Sequence, residues 1–580
     1  MVIRKTKDNG QQTTDKQPTT NNQQPKTMLN VRQETASMLT RDGVRLDADI
    51  YRPDTTEELP VLLMRQPYGR AIASTVVYAH PTWYATHGYI VVIQDVRGRG
   101  TSEGEFQLFS SEIPDGIEAV NWAAELPGSN GKVGMYGFSY QGMTQLYAAS
   151  GHPAALKTIC PAMIGYDLYA DWAYENGAFC LQANLGWAIQ LAAETARLQG
   201  DTTAYQILYA ASRNLPFYEP SPRFSESLRK YAPNSFYYEW LNHPEAGNYW
   251  QQRSPNLQGV DLPMLHIGGW FDPYLRGTLR LYKEMAARST FFQYLLVGPW
   301  AHLPWGRKLG AVDYGVEAVS PVDELQRRWF DQFLKGIDTG LLNELPVCLF
   351  EMGSNHWRYF NTLPTDNQQS YYLASSGLAS IREDSGKIIL SNPKFIENSN
   401  YKTKILLDIL VHDPWRPVPS LGGHAAIPAG SFERSAIDCR TDVLTYTSVP
   451  LIEDLYLAGE VSVEVFCTAN TPSFDLCAVL SEVLPNGNVY NFTQGYMRVN
   501  LGLETTPLRM TLQPTCMRIT KGNALRLSLS GACFPAYPIN PGTGAQPGEI
   551  HLIDAQIITL MVRCGGDYLS QVLLPVVLPS

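Results

Sequence analysis

Six consecutive residues, Gly137-Phe138-Ser139-Tyr140-Gln141-Gly142, combine a serine with the small residues that a very tight turn requires. The apolar run Val133 to Tyr136 precedes them and a helical stretch, Met143 to Ser150, follows. A strand, a sharp turn and a helix with serine at the apex lift a hydroxyl clear of the sheet. The backbone N–H of the next residue, Tyr140, then stands at a helix N-terminus, where it can donate to a developing oxyanion. The usual pattern has glycine two places after the serine; here that place holds Gln141, and the glycine comes one later at Gly142. On pattern alone, an ordinary Gly-rich turn between strand and helix is an equal reading.

A serine nucleophile needs a base, and the chain has 10 histidines. His302 lies just past the apolar run Tyr294 to Val297, in Gly298-Pro299-Trp300-Ala301-His302. His266 sits inside an apolar run and reads as a core histidine, while His412 and His424 fall in a β-rich region. Asp272 follows the run Met264 to Ile267, in Gly268-Gly269-Trp270-Phe271-Asp272, and is the candidate acid. Either residue alone reads as a loop side chain capping a turn. The order Ser139, Asp272, His302 is that of α/β-hydrolases, with each residue at the carboxyl end of a strand, where open α/β sheets place their sites. Tyr68, in Arg65-Gln66-Pro67-Tyr68-Gly69-Arg70, stands at another such end. Its phenol is a second candidate oxyanion donor, or simply closes a proline turn.

The elements that must position these residues are legible as patterns. Asp42-Gly43 signals a two-residue hairpin turn, and beyond it Val44, Leu46, Ala48 and Ile50 alternate with Arg45, Asp47 and Asp49, predicting one wet and one buried face. Six unalternating apolar runs follow, Val61 to Met64, Tyr89 to Ile93, Val133 to Tyr136, Leu156 to Ile164, Met264 to Ile267 and Tyr294 to Val297, as expected of strands covered on both faces. With helices between them, they predict a mostly parallel α/β sheet. Helical periodicity at Leu181, Leu185, Ile189, Ala192 and Ala196 interrupts that rhythm and predicts a helical cap over residues 166–255. The expected divisions are a disordered polar tail over 1–28, an α/β domain in two parts over 29–165 and 256–340, and an all-β jelly roll over 341–580.

The chain has 580 residues, a net charge of −10, 17% charged and 44% hydrophobic residues. The acidic balance argues against nucleic acid, and no apolar stretch approaches the roughly 18 residues of a membrane span. The N-terminus lacks a secretory leader, so the expectation is a cytoplasmic protein with neither nucleic-acid nor membrane partner. The nine cysteines fit neither a disulfide framework nor a zinc site. Gly98-Arg99-Gly100-Thr101-Ser102-Glu103-Gly104 follows a strand, yet its spacing is not that of a dinucleotide loop, and Arg97 and Arg99 are expected to pair with local carboxylates.

The motif GFSYQG resembles the G-x-S-Y-x-G elbow of the cocaine esterase and X-prolyl dipeptidyl-peptidase family of serine hydrolases, which includes the α-amino-acid ester hydrolases. Further resembling segments are QDVRGRGTSEGEF, NWAAELPGSNGKVGMYG, GGWFD, GPWAH and RTDVLTYTSVPL, so the likeness runs from about Thr40 to the C-terminus. It implies an α/β-hydrolase fold with a helical cap insertion and a C-terminal jelly roll. By position it makes Ser139 the nucleophile, His302 the base and Asp272 its orienting acid, with the Tyr140 N–H and the Tyr68 hydroxyl as oxyanion hole. It implies acyl transfer on a small ester or amide without metal or cofactor, and allows a homodimer. Trp172, Trp270 and Phe271 resemble pocket-lining positions. The amino-acid ester hydrolases hold a substrate ammonium with acidic residues two and three places after the catalytic acid; here those places are Tyr274 and Leu275, leaving only Asp171 in the cap as a counterpart. The alternatives are an X-Pro dipeptidyl-peptidase, an α-amino-acid ester hydrolase and, from another class, an inert scaffold binding ligands through its jelly roll.

Overall fold

The computed structural model describes residues 30–217, 225–364, 367–390, 405–500, 506–546 and 549–579. The expected polar tail over 1–28 lies outside them.

Among the described residues ten strands form the first sheet: β1 (Val31–Leu39), β2 (Arg45–Pro53), β3 (Leu59–Gln66), β4 (Ile90–Asp95), β5 (Ser129–Phe138), β6 (Leu156–Ala162), β7 (Met264–Phe271), β8 (Gln293–Ala301), β9 (Val347–Glu351) and β10 (His356–Phe360). Their order is β1-β2-β4-β3-β5-β6-β7-β8-β9-β10. The pairs from β4-β3 through β8-β9 are parallel, and those at the two edges antiparallel. The apolar runs are its central strands, each buried along nearly its whole length because helices cover both faces. The helices Glu112–Ala124 and Tyr140–Ser150 pack on one face, and Val322–Lys335 on the other.

Three expectations are corrected. The Asp42-Gly43 hairpin is closed by five residues, Thr40 to Val44, with the Thr40 N–H donating to the Val44 carbonyl at 2.9 Å. The face of β2 expected to be wet is buried: Asp47 accepts from Ser37 and Thr101, and Asp49 from Thr35 and Arg70, so partners rather than water satisfy the carboxylates. The α/β sheet also continues past residue 340, because β9 pairs with β8 and carries β10 with it.

Between β6 and β7 the chain forms the cap, led by the helices Leu181–Leu198 and Thr202–Arg213. Its apolar side joins the core on the Tyr140 face of the sheet. From Gln368 onward the described residues are β-rich, with eleven of their strands in one sheet, and the alternating segments near Val463 and Leu527 lie in the strands Ser462–Ala469 and Ala524–Ser530. A second core joins this region to the ends of β7, β8 and β9. All nine cysteines are unpaired. Among the described residues no helix is long and apolar enough to cross a membrane.

Candidate active site

Ser139 sits between β5 and the helix Tyr140–Ser150 with φ 59° and ψ −126°. That is a conformation a side-chain-bearing residue adopts only under strain, and strain of this kind concentrates at functional positions. The packing explains why glycine is needed at 142 rather than 141. A Cβ on Gly142 would lie 2.3 Å from Ile164 Cγ2 and 2.9 Å from the Ala162 carbonyl oxygen, where the helix crosses β6. Gln141 points elsewhere and is used, its Oε1 accepting from the Phe138 N–H at 3.3 Å. Tyr140 opens the helix, so its backbone N–H has no intrahelical acceptor. Its side chain is engaged on the other side, donating to Glu112 at 2.7 Å.

His302 follows β8 directly, and Asp272 follows β7. The parallel pairing of these two strands brings the residues together, and His302 Nδ1–H donates to Asp272 Oδ1 at 2.8 Å. Asp272 is fully buried while His302 is half-buried. Burial raises the Asp272 carboxyl above its usual range, and the His302 contact and the Tyr274 N–H oppose that rise. The imidazole lies against Phe138, the residue before Ser139, at 5.3 Å between centroids, and meets the edge of Tyr274 at 5.0 Å. With Nδ1 held by the carboxylate, Nε2 is the nitrogen left for proton transfer.

Tyr68 lies just past β3, and the Ser139 side chain is close enough to draw its phenol's pKa down. The phenol oxygen accepts from the Trp187 indole N–H at 3.0 Å. Burial pushes the phenol up to about 12, with Trp187, Arg99 and Ser139 acting in the opposite direction, so it remains a donor at neutral pH.

The structure divides the three candidate pocket aromatics. Trp172 belongs with the site: it packs on Tyr274 at 4.3 Å, Trp187 at 5.2 Å and Phe109 at 5.8 Å. Trp270 and Phe271 do not. Trp270 donates to the Phe350 carbonyl at 2.7 Å, Phe271 packs near Tyr314, and both lie in the core shared with the all-β region, since the end of β7 is capped by that region. Asp171 is buried and engaged, with Oδ1 accepting from Arg280 at 2.9 Å and Oδ2 from the Asp167 N–H at 2.8 Å. His266 is a core histidine bonded to Gln293 at 3.0 Å, and burial pulls it down to about 4.

Three supporting residues have no local signal. Trp187 comes from the cap, Tyr274 turns its edge to His302, and Gln513 reaches from the all-β region to donate to the Asp272 carbonyl at 2.6 Å. Their roles depend on contacts 119, 28 and 241 positions away in the chain. Among the described residues no cluster of three or more His, Cys, Asp or Glu side chains is placed to hold a metal ion.

Residues 42–304 match the model of the X-Pro dipeptidyl-peptidase (S15) family, and residues 340–573 that of the X-Pro dipeptidyl-peptidase C-terminal non-catalytic domain. Residues 42–304 are thus an S15 domain, and the family's C-terminal domain follows it. The chain is 29% identical over 567 residues to the cocaine esterase of Rhodococcus sp. (strain MB1 Bresler), covering 93% of this chain and 97% of that one. In fold it is similar to an aminopeptidase from a marine sediment Thaumarchaeota archaeon, with a TM-score of 0.78 at 21% identity, covering 97% and 99% of the two chains. It is likewise similar to an α-amino acid ester hydrolase, with a TM-score of 0.74 at 22% identity, covering 97% and 100%. The chain is a serine hydrolase, and its C-terminal β-rich region corresponds to the family's non-catalytic domain.

Proposed function

We propose that this enzyme cleaves carboxylic esters through an acyl-enzyme on Ser139. The observation that carries the reading is the meeting, at one strained serine, of the Tyr68 hydroxyl and of a His302 imidazole that packs on Phe138 and is held by the buried Asp272. Ser139 Oγ attacks the ester carbonyl as His302 Nε2 accepts its proton, and Asp272 stabilises the imidazolium. Negative charge develops on the carbonyl oxygen, with the Tyr140 N–H and Tyr68 O–H as donors. Collapse breaks the bond to the leaving oxygen, which takes the proton from His302; water then attacks the acyl-enzyme with His302 again as base. The residues need no metal or cofactor for these steps. The partner in this reading is the small ester itself, in a cytoplasmic enzyme.

Peptidase or amino-acid ester hydrolase activity requires a carboxylate for the substrate ammonium. Asp171 is committed to Arg280, and Glu175 to Arg276, His424 and Tyr537. That supports the ester reading over either alternative. A fluorophosphonate probe should label Ser139 in folded protein, and p-nitrophenyl acyl esters should be turned over in preference to an X-Pro p-nitroanilide. Absence of the adduct, or turnover of the anilide alone, overturns the reading.

A further inference from the structure

Arg99 follows β4 in the loop Gly98 to Gly104 and is 1% exposed. It does not pair with a local carboxylate as expected. Arg97, two positions earlier, pairs with Asp42 and Asp115, each at 2.8 Å. The Arg99 side chain makes one hydrogen bond among the described residues, from Nη1 to the Leu191 carbonyl at 3.3 Å. Its guanidinium carbon lies 3.8 Å over the centroid of the Phe106 ring, and its buried Nε has no partner. A guanidinium carries five N–H donors and a fixed charge, and burying one without a counter-charge is costly.

The neighbouring carboxylates are taken. Asp95 pairs with Arg70, Glu112 with Arg65 and Tyr140, and Glu194, on the cap helix, is held by two bonds from Arg197. Asp171 and Glu175 have their own cations. Among the described residues none of these carboxylates is left to balance Arg99, so its positive charge is left over.

The cap helix Leu181–Leu198 locates this charge relative to the chemistry. Trp187 donates to Tyr68, the hydroxyl beside Ser139, and Leu191 accepts from Arg99. Four residues of helix separate Trp187 and Leu191, a rise of about 6 Å. The guanidinium thus stands about one helical turn from the candidate oxyanion hole, and its charge acts on both Tyr68 and Tyr140. Phe106, beneath the guanidinium, packs 6.1 Å from the Tyr140 ring.

We propose that Arg99 is a specificity-determining residue that binds a carboxylate on the acyl group, so that the preferred substrates are monoesters of short dicarboxylic acids. The inference rests on the assignment of Ser139 as nucleophile. With the ester carbonyl at Tyr68 and Tyr140, a chain of two or three methylenes brings a terminal carboxylate to the unused N–H groups, which suit its planar geometry. Phe106 and Leu191 hold the guanidinium in place before substrate arrives.

The test compares kcat/KM for p-nitrophenyl butyrate and mono-p-nitrophenyl glutarate in the wild type, Arg99→Gln and Arg99→Lys. A charge-assisted contact should favour the glutarate ester by about tenfold to a hundredfold in the wild type. Arg99→Gln should abolish that ratio and Arg99→Lys retain part of it, whereas a merely structural role would lower both esters alike. Free glutarate should inhibit butyrate ester hydrolysis by the wild type competitively, a measurement that decides the matter even where Arg99→Gln fails to fold. Turnover of the butyrate ester with no preference for the glutarate ester and no glutarate inhibition overturns the role of Arg99 and leaves the esterase intact. Failure of both esters, together with no fluorophosphonate adduct at Ser139, overturns the underlying assignment instead.

Discussion

The Trp187 indole N–H, on the cap, donates to the Tyr68 hydroxyl, just beyond β3, at 3.0 Å. One lone pair of the phenol is thereby occupied, and in the proposed mechanism its hydrogen goes to the oxyanion that replaces the ester carbonyl. Removing the phenol in Tyr68→Phe should lower kcat about 10²-fold to 10³-fold, the usual cost of an oxyanion donor. Trp187→Phe should cost up to about tenfold, as for one hydrogen bond, and only where Tyr68 is present. Steady-state kinetics on wild type, the two single variants and the double variant measure the coupling. Additive losses would mean that Trp187 acts on something other than Tyr68.

Gly142 is a packing requirement of the elbow. Replacing it by alanine places a methyl group 2.3 Å from Ile164 Cγ2 and 2.9 Å from a backbone oxygen, and the backbone cannot step aside cheaply. Gly142→Ala should destabilise the fold by about 1–3 kcal/mol, read from denaturant unfolding. It should also displace the helix end that carries the Tyr140 N–H, and a shift near 1 Å costs about a hundredfold in rate. Near-wild-type kcat in a folded Gly142→Ala protein would remove that N–H from the mechanism.

Strands buried on both faces write themselves as apolar runs, so the central sheet and the ends that carry Tyr68, Ser139, Asp272 and His302 were readable in order along the chain. What escaped depends on partners far away in sequence. The strand Val347–Glu351 is itself a buried apolar run but follows the expected boundary at 340, and only pairing with β8 assigns it, with His356–Phe360, to the first sheet. Trp270 and Phe271 lie two positions and one position before Asp272, and their direction depends on which flank the all-β region covers. Carboxylates lie near Arg99 in sequence, but Arg70 takes Asp95 and Arg45 takes Glu103, while Arg97 takes Asp42 and Asp115.

Glu175 fastens the cap to two other parts of the molecule. Its buried carboxylate accepts from His424 at 2.8 Å, Tyr537 at 2.5 Å and the Tyr496 N–H at 3.2 Å, and lies 3.0 Å from Arg276. Burial alone would raise its pKa, but Arg276 and His424 prevail and hold it well below the ordinary glutamate value of 4.5. A carboxyl depressed in the folded state contributes its stability above the unfolded value and loses it as pH falls toward the folded one, at about 1.4 kcal/mol per pH unit. Glu175→Gln should therefore cost about 3–5 kcal/mol at neutral pH, as for breaking a buried pair. The gap in melting temperature between variant and wild type should hold above about pH 5.5 and narrow steadily below pH 4.5. A gap independent of pH would show that charge is not what Glu175 supplies.

Gln513 gives the all-β region a direct hold on the candidate acid, because its side-chain amide donates to the backbone carbonyl of Asp272 at 2.6 Å. Asp272 also stands at the start of a turn into the helix Leu275–Arg288, where the Leu275 N–H donates to the same carbonyl at 3.2 Å. Removing the amide leaves that turn in place but frees the carboxylate to rotate away from His302. Gln513→Leu keeps the side chain's bulk and should lower kcat about tenfold to a hundredfold, since small displacements of an orienting group are expensive, while KM changes little. Labelling of Ser139 by a fluorophosphonate should slow in step, since that reaction also needs the oriented imidazole. If KM rises instead and kcat is preserved, Gln513 supports substrate binding and the all-β region has no hold on the chemistry.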